Sequence, residues 1–223
     1  MPSSGRRPEP FPGLIYIAMN TLPRCPWAVE PSEYRRYHDE EWGRPVVDDT
    51  RIFEKLCLEA FQAGLSWLTI LRKREAFRTA FSSFDVEAVA GFGEADVARL
   101  LADTGIVRNR AKIEAALANA RATLDLQASG ASLASLLWRF EPRTGPVPRT
   151  VADIPAVTPE STALSKELRR RGFRFLGATT VYAVMQSLGV VNDHVETCFV
   201  REPVEAERRV LLRPLSGARP PSR

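Results

Sequence analysis

The chain has 223 residues, 44% hydrophobic and 26% charged, which is the balance of a globular protein large enough to bury a sizeable core. No apolar run approaches the ~20 residues of a membrane span, and the FPGLIYIAM stretch at 11–19 lacks the small-residue site of a cleaved leader. A net charge of +4 with 31 Lys and Arg favours an anionic partner, nucleic acid being the commonest, while three cysteines argue against a disulfide framework and for a reducing cytoplasm.

Residues 1–22 mix Pro, Gly, Ser and Arg and read as a flexible leader, with Met19 as a second candidate start. The text then becomes dense. Residues 24–43, RCPWAVEPSEYRRYHDEEWG, hold two of the four Trp and two of the four Tyr beside Cys25 and His38. A surface loop does not normally carry so many amphipathic rings, so this segment reads as a lining or a packed knot. In the next stretch, DDTRIFEKLCLEAFQAGLSW at 48–67, Asp48, Asp49 and Thr50 are capping residue types. Ile52, Phe53, Leu56, Ala60 and Phe61 follow at helical spacing. Glu59 lies beside that apolar stripe, which places it at a buried edge rather than on open surface. Gly64 ends the helix, and Ser66 caps a second one that starts at Trp67.

Further helical patterns occupy 85–91, 94–103, 108–124 and 132–140. The stretch 141–160 has five prolines and reads as a linker or long surface loop. Helices over 161–171 and 178–188 then flank the turn RGFRFLG at 171–177, and VNDHVETC closes the ordered part. The Arg- and Pro-rich tail from about Glu205 reads as frayed. No segment alternates with period two, so the expectation is an all-α fold. It has one domain over 23–203, between the leader and a flexible basic tail at 204–223.

Three groups of residues carry candidate chemistry. Cys25, His38, His194 and Cys198 form C-x12-H and H-x3-C, and a His and a Cys four apart on a helix share one face. Two thiolates and two imidazoles suit tetrahedral Zn²⁺, which would join the N-terminal segment to the C-terminal one; the plain alternative is two buried cysteines and two ordinary histidines. The helix–turn–helix at 161–188, with Lys166, Arg169, Arg170, Arg171 and Arg174 around it, suits a grip on a DNA phosphate, or else is an αα-hairpin with a solvated basic face. The rings Trp27, Tyr34, Tyr37, Trp42 and Trp67 with Glu59 offer flat surfaces and an edge acceptor for an extruded base. Plain core packing explains some of them equally well, Trp42 first.

With these residues assembled, the chain resembles the bacterial 3-methyladenine DNA glycosylase I (Tag-type) family of the helix–hairpin–helix glycosylase superfamily. The blocks that carry the likeness are RCPW, YHDEEWG, LCLEAFQAGLSW, TGIVRNRAKI, LSKELRRRGFRFLG and VNDHVETC, in family order from about Arg24 to Val200. The resemblance implies a helix–hairpin–helix glycosylase fold with a structural zinc at Cys25, His38, His194 and Cys198. It implies a base pocket in which Glu59 is the catalytic carboxylate, beside Tyr37 and Trp67, with Trp27 and Tyr34 at its rim. It also implies that Leu65, in the Gly64–Ser66 turn, fills the gap left by the base, and that Gly172, Arg174 and Gly177 meet the DNA backbone. The implied activity is release of 3-methyladenine from alkylated duplex DNA; no Lys is placed by the motifs as a Schiff-base nucleophile, so a monofunctional enzyme is expected, with a monomer as the default state. One departure stands out. The superfamily's catalytic Asp corresponds to Asn192 or, with a one-residue shift, to Asp193.

Overall fold

The computed structural model describes residues 22–143 and 145–214. Among them there are ten α-helices, three 3-10 turns and no strand, which agrees with the all-α expectation. The helices are α1 (Ser32–Glu40), α2 (Asp49–Gln62), α3 (Trp67–Ala80), α4 (Val86–Ala90) and α5 (Glu94–Ala102). They continue with α6 (Arg110–Ala128), α7 (Leu133–Trp138), α8 (Pro159–Arg170), α9 (Ala178–Ser187) and α10 (Arg201–Val210). None is long and apolar enough to cross a membrane.

Helix α2 is the axis of the packing. The Asp48 side chain accepts from Arg51 N and starts it, and every residue from Ile52 to Phe61 is buried. It touches α3, α6, α7 and α9, so even its charged Glu54, Lys55 and Glu59 lie inside the protein. Lys112 of α6 closes the far end by donating to the carbonyls of Phe61 and Ala63 at 2.8 and 2.6 Å, which satisfies acceptors that a helix end leaves open. A second apolar group sits apart from this core: Cys25, Tyr37, Trp42, Val195, Cys198, Val200 and Val204 pack together, joining the two ends of the described chain.

Three segments differ from the sequence reading. Helix α1 forms inside the aromatic-rich segment, with Tyr37 and His38 turned inward. The proline-rich stretch is not only a loop: it holds a 3-10 turn at Val151–Asp153, and α8 already begins at Pro159 because Thr158 caps it by accepting from Ser161 N. Of the tail from Glu205, expected to be frayed, residues 215–223 lie outside the described residues, and 205–210 are part of α10. Val204 is fully buried there, and Arg208 donates to the Gly189 carbonyl and to Glu141, so burial and pairing hold a stretch that composition alone makes look loose. The expected leader at 1–22 lies outside the described residues apart from Leu22.

The chain crossing beside α9 leaves no room for a side chain. Gly189 has φ +70°, and a Cβ there would run into the Gly43 carbonyl oxygen and meet Arg44 and Pro45 backbone atoms at 2.7 Å. Val46 N donates to Leu188 O at 3.1 Å across the same crossing.

Candidate functional site

Because α2 is buried all round, Glu59, one turn before its end, is carried into the interior and is only 5% exposed. It meets a cavity of about 390 Å³ whose wall it shares with Tyr34 and Tyr37 of α1, Trp67 of α3, Gln186 of α9, and Trp27 and Trp42. Val151 and Ile154 of the proline-rich stretch complete one side, which sequence reasoning missed because nothing local marks a loop as a wall. Burial pushes the Glu59 carboxyl up to about 7, with the Lys55 ammonium pulling the other way. No described residue donates a hydrogen bond to it. An unpartnered carboxyl on an aromatic cavity wall is poised to meet a ligand that brings its own donors or charge.

The rings are held by specific contacts. Tyr37 and Trp67 lie 5.4 Å apart with their planes tilted by 46°. Tyr34 accepts from Leu68 N at 3.0 Å, which fixes it on the first turn of α3. Trp27 stands edge-on to Tyr34 and Trp42 at 5.9 and 5.0 Å. Trp42, read from sequence as core, is both 9% exposed and on the wall. Lys55 went unnoticed in the sequence, although it sits one turn before Glu59 on the same helix. It is buried behind the rings, 4.7 Å from the Tyr37 centroid and 4.6 Å from that of Trp67, and donates to the Tyr37 hydroxyl at 2.9 Å. Burial lowers its pKa against the opposing charges of Glu41 and Glu59. Lys55 is not part of the cavity wall. Glu41 answers it from 3.5 Å and is bound by Arg74; although burial alone would raise it, these partners hold Glu41 at about 2.

Behind Trp27 and Trp42 the candidate ligands Cys25, His38, His194 and Cys198 converge. All four are buried, and their donor atoms lie within 4.8 Å of one another. Their protonation can be worked out from the flanking contacts. His38 Nδ1 lies 2.8 Å from the Asp39 carboxylate, and His194 Nε2 lies 3.0 Å from the Trp42 carbonyl. Both partners only accept, so those nitrogens carry the protons. The remaining nitrogens, His38 Nε2 and His194 Nδ1, then face each other as bare lone pairs at 3.1 Å. Cys198 Sγ is 3.4 and 3.5 Å from them, and Cys25 Sγ is 3.7 Å from His194 Nδ1. A tetrahedron built on metal–nitrogen bonds of about 2.0 Å and metal–sulfur bonds of about 2.3 Å has edges of roughly 3.3 to 3.8 Å. The cluster can therefore hold a metal ion, with both imidazole lone pairs and both sulfurs turned to one centre.

The turn between α8 and α9 presents Gly172, Arg174, Phe175 and Gly177 to solvent. Gly172 adopts φ +91°, open to glycine without strain. Buried Asn119 of α6 grips the turn from below: its Oδ1 accepts from Arg174 N at 2.7 Å and its Nδ2 donates to Arg174 O at 3.2 Å. Leu65 is 42% exposed, in the turn joining α2 to α3. Asn192 and Asp193 are both absent from the cavity wall; Asp193 lies behind Gln186, and Asn192 donates to Arg201 O.

The methyladenine glycosylase family profile matches residues 27–202. The DNA-3-methyladenine glycosylase of Haemophilus influenzae is 46% identical over 178 residues, which is 78% of this chain and 96% of that protein. A crystal structure of 3-methyladenine DNA glycosylase I superposes with TM-score 0.77 at 46% identity, covering 79% of this chain and 98% of the other. The Staphylococcus aureus 3-methyladenine DNA glycosylase I, from work on its recognition of 3-methyladenine, superposes with TM-score 0.75 at 36% identity, covering 82% and 97%.

Proposed function

Since the chain belongs to the methyladenine glycosylase family, we propose that the ring-lined cavity at Glu59 is the seat of its chemistry, an extruded base entering there for cleavage. The protein is a DNA-3-methyladenine glycosylase: it excises 3-methyladenine from alkylated DNA by hydrolysing the bond to the sugar. Methylation at N3 makes adenine a cation, so the base departs neutral and needs less help per bond than an unmodified one. Tyr37 and Trp67 offer neutral aromatic faces to that cation, with Trp27 and Tyr34 at the rim. Glu59 pairs with its charge or accepts from its exocyclic amine. Ordinary adenine gains less from either contact, and a damaged base costs less to extrude. Water completes the displacement at the anomeric carbon and leaves an abasic site.

The α8–turn–α9 unit is the helix–hairpin–helix element, with Gly172, Arg174 and Gly177 at the duplex backbone. Leu65 fills the space vacated by the base. The cysteine and histidine cluster holds structural Zn²⁺, which when bound ties Cys25 and His38 to His194 and Cys198; the facing imidazole lone pairs support this. The three described cysteines are all free and buried, which suits a reducing compartment. Lys55, covered by the rings and off the cavity wall, is not offered to the sugar as a Schiff-base nucleophile, so the activity is monofunctional.

The observation that carries the reading is the unpartnered, buried Glu59 carboxyl on a wall of aromatic rings. Incubation with methylated duplex DNA and assay of the free bases tests it. Release of 3-methyladenine is expected, with Glu59→Ala lowering the rate at least about tenfold while duplex affinity holds. Release of some other modified base would point to a different lesion, and duplex binding without release to a DNA-binding module that has lost its chemistry.

A further inference from the structure

Gln186 faces the cavity from α9, and its orientation is set from behind. Its Nε2 lies 2.8 Å from Asp193 Oδ2, which also accepts from the Tyr182 hydroxyl at 2.6 Å. A carboxylate only accepts, so the nitrogen end of the amide must face Asp193; the reversed amide would set two oxygens against each other. Gln186 Oε1 is thereby turned from Asp193 and has no partner among the described residues. Glu59 stands on the same wall, from the neighbouring helix α2, also without a donor. Two wall residues therefore each keep an oxygen acceptor without a donor, one of them locked, and Trp67 Nε1 on the same wall is a donor without a partner.

On the excision reading above, we propose that Gln186, locked by Asp193, is a specificity-determining residue. Together with the ionised Glu59 carboxylate it forms a pair of acceptors that takes the exocyclic amine of an N3-methylated adenine and disfavours the carbonyl of an N3-methylated guanine. A base that enters with its sugar still attached at N9 leads with the opposite edge, which carries the position-six substituent. Adenine bears an amine there, with two hydrogens for two acceptors. Guanine bears an oxygen, and Gln186 cannot turn its amide to offer that oxygen a donor while Asp193 holds the NH₂ group. Guanine's neighbouring N1–H recovers part of the contact, so the discrimination is about tenfold rather than the larger factor of a fully unpaired site. Gln186 touches the base; Asp193 acts through it as a positioning residue.

The test uses the full chain and duplex DNA carrying both N3-methylpurines, with kcat/KM measured for release of each. Wild type is expected to favour the adenine lesion by about tenfold or more. Gln186→Leu should lower that ratio about tenfold by slowing the adenine lesion. Asp193→Asn should lower it by raising release of the guanine lesion, because an amide partner accepts either orientation of Gln186. A ratio that stays within twofold of wild type in a folded variant, both rates falling together, overturns the proposal. Should Asp193→Asn not fold, Gln186→Leu carries the test, and equal wild-type rates on the two lesions overturn it without any variant. If wild type releases neither base, the excision reading has failed instead.

Discussion

Glu59 experiences its burial in two opposite ways. Its carboxyl titrates near 7 in the folded protein against 4.5 as the ordinary value. Between those values the unfolded chain is ionised while the folded one still holds the proton, so this residue's contribution to stability falls as pH rises from 4.5 to 7 and is flat above. Relative to wild type, Glu59→Gln should therefore be unchanged near pH 4.5 and more stable by up to about 3 kcal/mol at pH 8, read as the difference between thermal melts across that range. Activity should run the other way. A cationic base is met best by the ionised carboxylate, so kcat/KM for 3-methyladenine release should climb through about pH 7 in wild type and lose that rise in Glu59→Gln. A pH profile with the same inflection in both proteins would remove Glu59 from the role. Glu59 was legible in the sequence because it borders an apolar stripe. Lys55 and Gln186 were not, because their meaning depends on Tyr37, Trp67 and Asp193, which reach them through the fold.

At the scale of the element, the α8–α9 turn depends on α6 as much as on its own glycines. Asn119 satisfies both backbone groups of Arg174 from a fully buried position. Asn119→Ala leaves that pair without partners, and a destabilisation of roughly 2–3 kcal/mol is expected in a denaturant titration. In the variant that still folds, duplex affinity should weaken more than affinity for free 3-methyladenine, since the turn and the cavity are separate. Arg174 itself is exposed, and its side chain has no partner among the described residues. If it neutralises one phosphate, Arg174→Ala should reduce the slope of log affinity against log salt by about 1, uniformly across duplex sequences. An unchanged slope would place the duplex elsewhere. The glycines and arginines of this turn are visible in the text of the chain; the grip of Asn119, 55 residues away, is not.

For the whole molecule, the cluster of Cys25, His38, His194 and Cys198 brings together the two ends of the described chain. The purified protein is expected to carry one zinc per chain by elemental analysis. Cys198→Ser or prolonged chelation should lower Tm, on the order of 10 °C for a domain of this size that loses several kcal/mol. The consequence should extend to the cavity, because Trp27 stands 5.3 Å from the His38 ring and Trp42 stands 4.6 Å from His194. Tryptophan fluorescence should therefore change on metal removal before the helical signal does. Melting and fluorescence indifferent to chelation would remove the metal from the account of stability.

The sequence by itself determined what neighbours along the chain can decide. Capping side chains and apolar period placed α2, α3, α5 and α6 close to where they lie, since the helical hydrogen bond and the amphipathic stripe are local. It also offered the donor atoms of the cysteine–histidine cluster and the types of residue on the cavity wall. Tertiary structure decided the rest. Glycine-tight crossing at Gly189 and buried pairing at Arg208 turned an apparently loose tail into α10, and a proline-rich stretch became a wall through Val151 and Ile154. The direction in which Gln186 offers its oxygen was likewise decided there. These depend on contacts between residues far apart in sequence, whose free energy exists only once α2 is surrounded and the ends of the described chain are brought together.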